Sequence, residues 1–356
     1  MSTPPVSRVG LIGAGAIGRA HLVGAAGAEG VAIVGIADPS PAAQALAAEF
    51  SVPWFSDYRA LMDGTQPDGA IIATPNALHV PIALDFIAER KAVLIEKPIT
   101  DTVEEGLRLA NIAHTADVPV LVGHHRRHNS IVGAARAIVQ QGRLGTLVST
   151  SVLATFLKPD SYYSQAWRRS LGAGPVLINL IHEIDLLRFV CGEVESLQAL
   201  TSNAVRGFEV EDTAAVLLRL KNGAIATIIL SDTAAAPWAW DLTSGENPAF
   251  AQVAPGQADS HFISGTEGSL TLPSLRLWRY SDHSENAVER GWKKPLDSAQ
   301  QPFDRSNPYV EQMRHFGAVI RREEQPVADA FDATRTLEVT LAVRAAAQVG
   351  TSISFR

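Results

Sequence analysis

Cysteine is nearly missing from this chain of 356 residues: Cys191 is the only one. A lone cysteine excludes an internal disulfide framework and any cysteine-based zinc cluster. Its place in the stretch Phe189-Val190-Cys191 predicts burial and suits a reducing cytosol. Basic charge is scarce too. With 30 Lys and Arg against 37 Asp and Glu, the net charge is −7, and the basic face that a general nucleic-acid partner demands is not there. No run approaches the roughly 20 apolar residues that cross a bilayer, and residues 1–8 hold no apolar signal core. These shortages predict a cytoplasmic protein with neither membrane nor nucleic acid as partner.

What is present describes a globular protein. Hydrophobic residues make up 46% and charged residues 19%, more apolar than disordered chains. The length exceeds one ordinary core and predicts two domains. Over 1–125, short apolar runs at 9–12, 31–37, 69–73, 92–95 and 119–122 alternate with helical patterns at 16–27, 42–50, 77–90 and 103–113. Continuous apolar runs separated by helices predict a doubly wound parallel sheet of the Rossmann type. From 126 to 356 the rhythm changes. A helix at 131–140 precedes a long strand at 146–156, and strands at 213–220 and 224–231 flank Asn222-Gly223, a strong hairpin signal. Further strands are expected at 261–264, 269–272 and 276–280, loops at 234–258 and 281–307, and helices at 308–322 and 329–349. The second domain is therefore expected to be α+β, with a largely antiparallel open sheet.

Gly13, Gly15 and Gly18 fit G-x-G-x-x-G between a strand and a helix. The first allows the tight turn, the second lets backbone approach a pyrophosphate, and the third lets helix and strand pack closely. Ala16 and Ile17 complete the turn. Asp38 ends the next strand, where an acid grips ribose hydroxyls. The plainer alternative is a glycine-rich turn with a capping aspartate. A 2′-phosphate beside Asp38 would be repelled, and Pro39 and Ser40 supply no compensating cation, so NAD is expected over NADP.

Lys97 follows the run Val93-Leu94-Ile95 and precedes Pro98, which puts an amine at the carboxyl end of a strand. Open α/β sheets bind ligands there. Beside a cationic nicotinamide such an amine would give up its proton more readily. On the apolar helix 175–189, Asn179, His182 and Asp185 recur at i, i+3 and i+6. Buried polar groups need partners, so this stripe is either a structural network or the wall of a site. Beside Lys97 and a nucleotide motif, we read it as a site. The run His124-His125-Arg126-Arg127-His128 is too short for a nucleic-acid patch and lacks metal-ligand spacing. No metal is expected.

These motifs, taken in order, resemble the Gfo/Idh/MocA oxidoreductases. The resemblance covers nearly the whole chain: Gly13 to Gly18 with His21, Thr74-Pro75-Asn76 with His79, Glu96-Lys97-Pro98, Gly123 to Arg127, Gly172 to Asp185, Glu211-Asp212 and Gly265-Thr266-Glu267-Gly268. It implies NAD(P)-dependent oxidation or reduction of a carbinol in a sugar, cyclitol or related polyol, and a homodimer or homotetramer formed through the open sheet. It implies that Lys97 and His182 are catalytic, that Thr74, Pro75, Asn76, His79 and Glu96 line the ribose and nicotinamide side, and that Arg126, Tyr163 and Arg168 face substrate with Asn179. One position departs: inositol dehydrogenase-like members carry an aspartate four residues before the histidine, where this chain has Ile178. Three alternatives stay open: oxidation of an aromatic-acid cis-dihydrodiol, a non-catalytic NAD-dependent sensor, and an NAD-dependent glycosidase.

Overall fold

Six short strands, most of them wholly apolar, form the first sheet of the computed structural model, which describes residues 5–170, 172–247, 250–254, 256–280 and 290–355. They are β1 (Ser7–Ile12), β2 (Val31–Ala37), β3 (Trp54–Phe55), β4 (Gly69–Ile72), β5 (Ala92–Ile95) and β6 (Val120–Val122), all parallel, in the order β3-β2-β1-β4-β5-β6. Every residue of β4 and β5 is buried. That is the condition of a parallel sheet covered on both faces. The helices are α1 (Ala16–Ala26), α2 (Pro41–Glu49), α3 (Tyr58–Thr65), α4 (His79–Ala88) and α5 (Val103–Thr115).

β3 and α3 were not expected. A two-residue edge strand carries no periodicity, and α3 buries only Leu61. One local signal for α3 exists: the Asp57 carboxylate accepts the N–H groups of Arg59 (2.8 Å) and Ala60 (3.3 Å), an N-cap.

The chain divides into two compact units, one of residues 1–129 and 306–338, the other of 130–305 and 339–356. In the second unit follow α6 (Ser130–Gln140), β7 (Leu147–Thr155), α7 (Ile181–Cys191), β8 (Val194–Ser202), β9 (Thr213–Leu220), β10 (Ile225–Ser231), α8 (Trp240–Thr243), β11 (His261–Gly265), β12 (Ser269–Leu272), β13 (Arg276–Arg279) and β14 (Asp297–Gln300). Helix α9 (Pro308–Ile320) then belongs to the first unit, packed on α1. Helix α10 (Ala330–Val349) gives its first half to the first unit and its second half to the other, which β15 (Ile353–Ser354) closes.

The nine strands of the second unit lie in the order β14-β13-β12-β11-β7-β10-β9-β8-β15. Every pair is antiparallel except β7 with β10. Asn222-Gly223 makes the expected turn: Gly223 has φ +89°, and the Asn222 side-chain oxygen accepts the N–H of Ala224 at 3.1 Å. One face is apolar and buried, with Ala214, Val216 and Leu218 of β9 beside Ala226, Ile228 and Leu230 of β10, and α6, α7 and the second half of α10 add to that core. The other face is open: Ile229 lies opposite Leu153 and Ala215, and Thr227 opposite Ser151 and Leu217.

Two loop expectations are corrected. Within 234–258, Trp240 is fully buried and opens the turn α8. Within 281–307, residues 297–300 form β14 and pair with β13, while residues 281–289 lie outside the described residues. Polar composition masked both, since β14 is an edge strand with all four residues exposed. Strand β8 was missed outright. Among the described residues, no helix is long and apolar enough to cross a membrane.

Candidate active site

The glycine turn sits at the carboxyl end of β1. Gly13 has φ +95°, and a Cβ there would stand 2.4 Å from the carbonyl oxygen of Ala73. A Cβ on Gly18 would stand 2.1 Å from the carbonyl oxygen of Gly13. The fold itself therefore demands these two glycines. Gly15 is different: a Cβ there would meet nothing within 4 Å. It opens onto a crevice of about 410 Å³ lined by Ala14, Gly15, Ala16, Arg19, Leu46 and Glu49, beside the first free N–H groups of α1. Close by, after β4, the Thr74 hydroxyl is buried with no hydrogen-bond partner.

The Asp38 carboxylate accepts the N–H of Ala14 through Oδ2 and that of Ser40 through Oδ1, each at 2.8 Å. Burial pushes its pKa up, but the hydrogen bonds from Ser40 and Ala14 outweigh this and hold it below the usual carboxylate range. It thus caps the turn, as the plainer reading required. Each carboxylate oxygen also keeps accepting capacity for ribose hydroxyls. An open glycine, helix N–H groups and an ionised acid together fit the pyrophosphate and ribose of a dinucleotide.

Glu96 and Lys97 continue β5, next to β4 and two strands from the glycine turn. Glu96 is buried, and its Oε1 lies 2.7 Å from His21 Nε2 on α1. Its Oε2 accepts the N–H of Lys97 at 3.1 Å. Burial raises the Glu96 pKa, but the hydrogen bond and charge of His21, with Lys97 and His125, bring it down to about 2. Gly123 must be glycine because a Cβ would stand 2.7 Å from Glu96 Oε1. Lys97 is half-buried, and the bond to Pro98 is cis. His79 is buried and faces two backbone carbonyls, Pro98 at 3.0 Å and Thr74 at 2.9 Å. It ties the turn after β4 to the Lys97-Pro98 turn. The Asn76 side chain donates to Asp101 at 3.0 Å, and Pro75 is exposed.

The basic run after β6 divides by role. Arg126 is buried. Arg127 donates to the Val327 carbonyl at 2.8 Å and pairs with Asp332. His125 stacks on Tyr309 with ring centroids 4.8 Å apart. His315 donates from Nε2 to the Gln325 carbonyl at 2.9 Å. Its Nδ1 lies 2.8 Å from His128 Nε2. Burial, then the neighbouring cations, pushes the His128 pKa well below its ordinary value.

In the second unit the helix expected over 175–189 begins as a π turn (Val176–Leu180) and continues as α7 to Cys191. Glu211 anchors its start, accepting the N–H of Val176 at 3.1 Å, and Gly174 leaves room for that carboxylate. The helix is less uniformly buried than its apolar sequence predicts. Asp185 is buried, whereas Ile178, Asn179 and His182 are half-buried, so the polar stripe is partly open.

Asn179 accepts from Lys158 Nζ through Oδ1 at 2.7 Å. Lys158 follows β7 without a motif to mark it. The Tyr163 hydroxyl donates to Asp232, so it is committed to that buried acid. Arg168 donates to the Tyr162 carbonyl at 2.7 Å and lies over the Tyr162 ring at 4.0 Å. No group of three or more His, Cys, Asp or Glu among the described residues is placed to hold a metal.

The first unit is thus a Rossmann domain built for a dinucleotide, joined in the chain to an α/β unit with an open sheet. Residues 7–124 match the model of an oxidoreductase family with an NAD-binding Rossmann fold, and residues 132–271 match the GFO/IDH/MocA C-terminal domain. The chain belongs to the Gfo/Idh/MocA oxidoreductase family, and NAD is its cofactor. It is 28% identical over 354 residues to 1,5-anhydro-D-fructose reductase of Ensifer adhaerens, covering 97% of each chain. It is 26% identical over 294 residues to inositol 2-dehydrogenase of Rhizobium meliloti strain 1021, covering 79% of this chain and 86% of that one. In fold it is similar to an oxidoreductase from Agrobacterium radiobacter, solved with NAD+, L-tartaric acid and magnesium. The TM-score is 0.78 at 18% identity, covering 98% of each chain.

Proposed function

We propose that this protein catalyses NAD-dependent oxidation or reduction of a carbinol in a sugar, cyclitol or related polyol, with Lys97 and His182 moving the hydroxyl proton. The observation that carries the reading is the amine of Lys97 at the carboxyl end of β5, in the same sheet as the glycine turn. That edge is where open α/β sheets hold ligands. When bound, the nicotinamide supplies the hydride acceptor or donor. Gly13, Gly15, Ala16, Ile17 and Gly18 would receive the pyrophosphate, and Asp38 the adenosine ribose. Thr74, Pro75, Asn76, His79 and Glu96 shape the turns on the nicotinamide side.

Lys97 accepts the substrate proton during oxidation and returns it during reduction, and His182 shares that transfer. Glu96 and His79 fix the backbone on either side of the lysine. Arg126, Tyr163, Arg168 and Asn179 belong to substrate recognition, with Tyr163 acting through Asp232. The open face of the second sheet carries Leu217, Ile229, Leu200 and Phe262 exposed, and we assign it to association with further copies of the chain. A cytoplasmic setting belongs to the same reading.

The test is NADH absorbance over a panel of sugars, inositols and sugar acids, repeated with Lys97→Ala. General acid–base help is worth roughly 10²–10⁴-fold. The variant should lose at least about 100-fold in turnover while binding NAD within about threefold of the native protein. Near-normal turnover in Lys97→Ala removes the lysine from the mechanism; no turnover across the whole panel favours a cofactor-binding sensor.

A further inference from the structure

Around Asp232 in the second unit, two cations lean on one buried carboxylate. Lys158 is buried, its ammonium 2.7 Å from Asn179 Oδ1 and 3.4 Å from Asp232 Oδ2. Arg206 also leans on Asp232, with Nε at 3.5 Å from Oδ1, and Asp232 accepts the Tyr163 hydroxyl as well. One buried carboxylate therefore serves two cations and a phenol. Arg168 adds a third cation, stacked on the Tyr162 ring that Lys158 Nζ also approaches at 4.8 Å. Asp160, which pairs with Arg206 at 3.4 Å, is fully exposed and screened by solvent. Crowding is visible at Lys158: burial pulls its pKa down, Asp232 opposes, and Arg206 and Arg168 pull it down further.

The Nε of Arg168 is buried with no hydrogen-bond partner, and so are Arg206 Nε and Asp232 Oδ1, which lie 3.5 Å apart. A lysine ammonium can only donate, so Asn179 must turn its oxygen toward Lys158. Its NH2 group then faces away from the lysine, as a donor. Asn179 lies three residues before His182 and beside Ile178, so its amide is the polar group of that turn.

We propose that Lys158, Arg168 and the Asn179 amide form a binding site for an anionic group of the substrate, so that the preferred substrates are sugar acids or other polyols bearing a carboxylate. This rests on the oxidoreductase reading above and names its substrate class. An anion there satisfies the Arg168 donor, accepts from Asn179, and balances charge that Asp232 alone does not. Neutral sugars offer those donors hydroxyl oxygens only, without the charge an anion supplies. Lys158 is a specificity residue on this account, since its charge and its hold on Asn179 act together.

The experiment compares matched acid and neutral substrates, such as gluconate with glucose and galactonate with galactose, for kcat/KM with NAD present. The native protein should prefer the acids by roughly 10- to 100-fold, the worth of a charge-assisted hydrogen bond or two. Lys158→Met should collapse that ratio toward one, mainly through KM, and Arg168→Gln should lower it also. Arg168 is half-exposed, so that second variant keeps the test open if Lys158→Met fails to fold.

Equal use of both members of each pair, or a ratio that neither variant moves, overturns the proposal. In parallel, calorimetric titration of the NAD-loaded protein with gluconate and with glucose reads binding without turnover. If nothing is oxidised, yet gluconate binds and Lys158→Met abolishes it, the anion site stands and the oxidoreductase reading falls. If gluconate binds no better than glucose, the anion site falls whatever the turnover.

Discussion

Replacing Asp38 by Asn should change which dinucleotide the protein prefers, and by an amount set by geometry. Asp38 carries a full negative charge at neutral pH, because its hydrogen bonds from Ser40 and Ala14 outweigh the upward pull of burial. A 2′-phosphate brought to about 4 Å would meet about 4 kcal/mol of repulsion per unit charge at an effective dielectric of about 20. The carboxylate is half-exposed, so screening reduces this to about 1–2 kcal/mol. That corresponds to about 5- to 30-fold in the ratio of dissociation constants.

Arg19, the cation lining the crevice, does not relieve the repulsion. Its guanidinium is held by Glu49 through bonds of 2.8 and 2.5 Å. Asparagine removes the charge but keeps an oxygen for one of the two backbone N–H groups. In titrations followed by reduced-cofactor fluorescence, the native protein should bind NADH more tightly than NADPH. The ratio should shrink about 5- to 30-fold in Asp38→Asn, through tighter NADPH and weaker NADH together. A variant ratio within twofold of the native one, or a native protein that binds both alike, would refute this reasoning.

Two further outcomes follow from other parts of the molecule. Glu96 is held at about 2 against an ordinary value of 4.5, so the folded state favours its ionised form. Its contribution is complete above the ordinary carboxylate range and disappears as pH falls from about 4.5 toward 2. Thermal unfolding measured across that window should show the native protein losing stability faster than Glu96→Gln, which starts lower at neutral pH; parallel profiles would contradict it. Leu217 is 47% exposed on the open sheet face, where substitution costs the fold within about 0.5 kcal/mol. Leu217→Lys should turn a native dimer or tetramer into monomers by light scattering, and a native protein already monomeric at micromolar concentration would remove the face from association.

Much of the first sheet could be read directly, because its strands are continuous apolar runs and its turns carry glycines that only glycine can fill. Gly13 and Gly18 show why: each lies against a carbonyl oxygen that leaves no room for a Cβ. Lys97 and Asp38 were legible for a related reason, since both end strands, and strand ends are marked by where the apolar run stops. Strand β8 and helix α3 were not legible. Their alternation is diluted by polar residues, and their place in the fold is decided by neighbours distant in sequence. Lys158 was invisible for the same cause. Nothing around it in the chain separates a buried lysine from a surface one, because its partners Asn179 and Asp232 lie 21 and 74 residues away.

The dinucleotide turn, the alternation of strand and helix, the hairpin at Asn222-Gly223 and the types of residue available for proton transfer are written along the chain. These are local facts, fixed by φ, by side-chain period and by short-range hydrogen bonding. That residues 306–338 return to the first unit shows only in the folded chain. Folding alone joins Glu96 to His21, and sets Lys158 and Arg206 of the second unit around one buried carboxylate. Those are facts of packing between segments far apart in the chain. Burial and charge at a point are sums over whatever the fold brings there, and a linear pattern does not carry that sum.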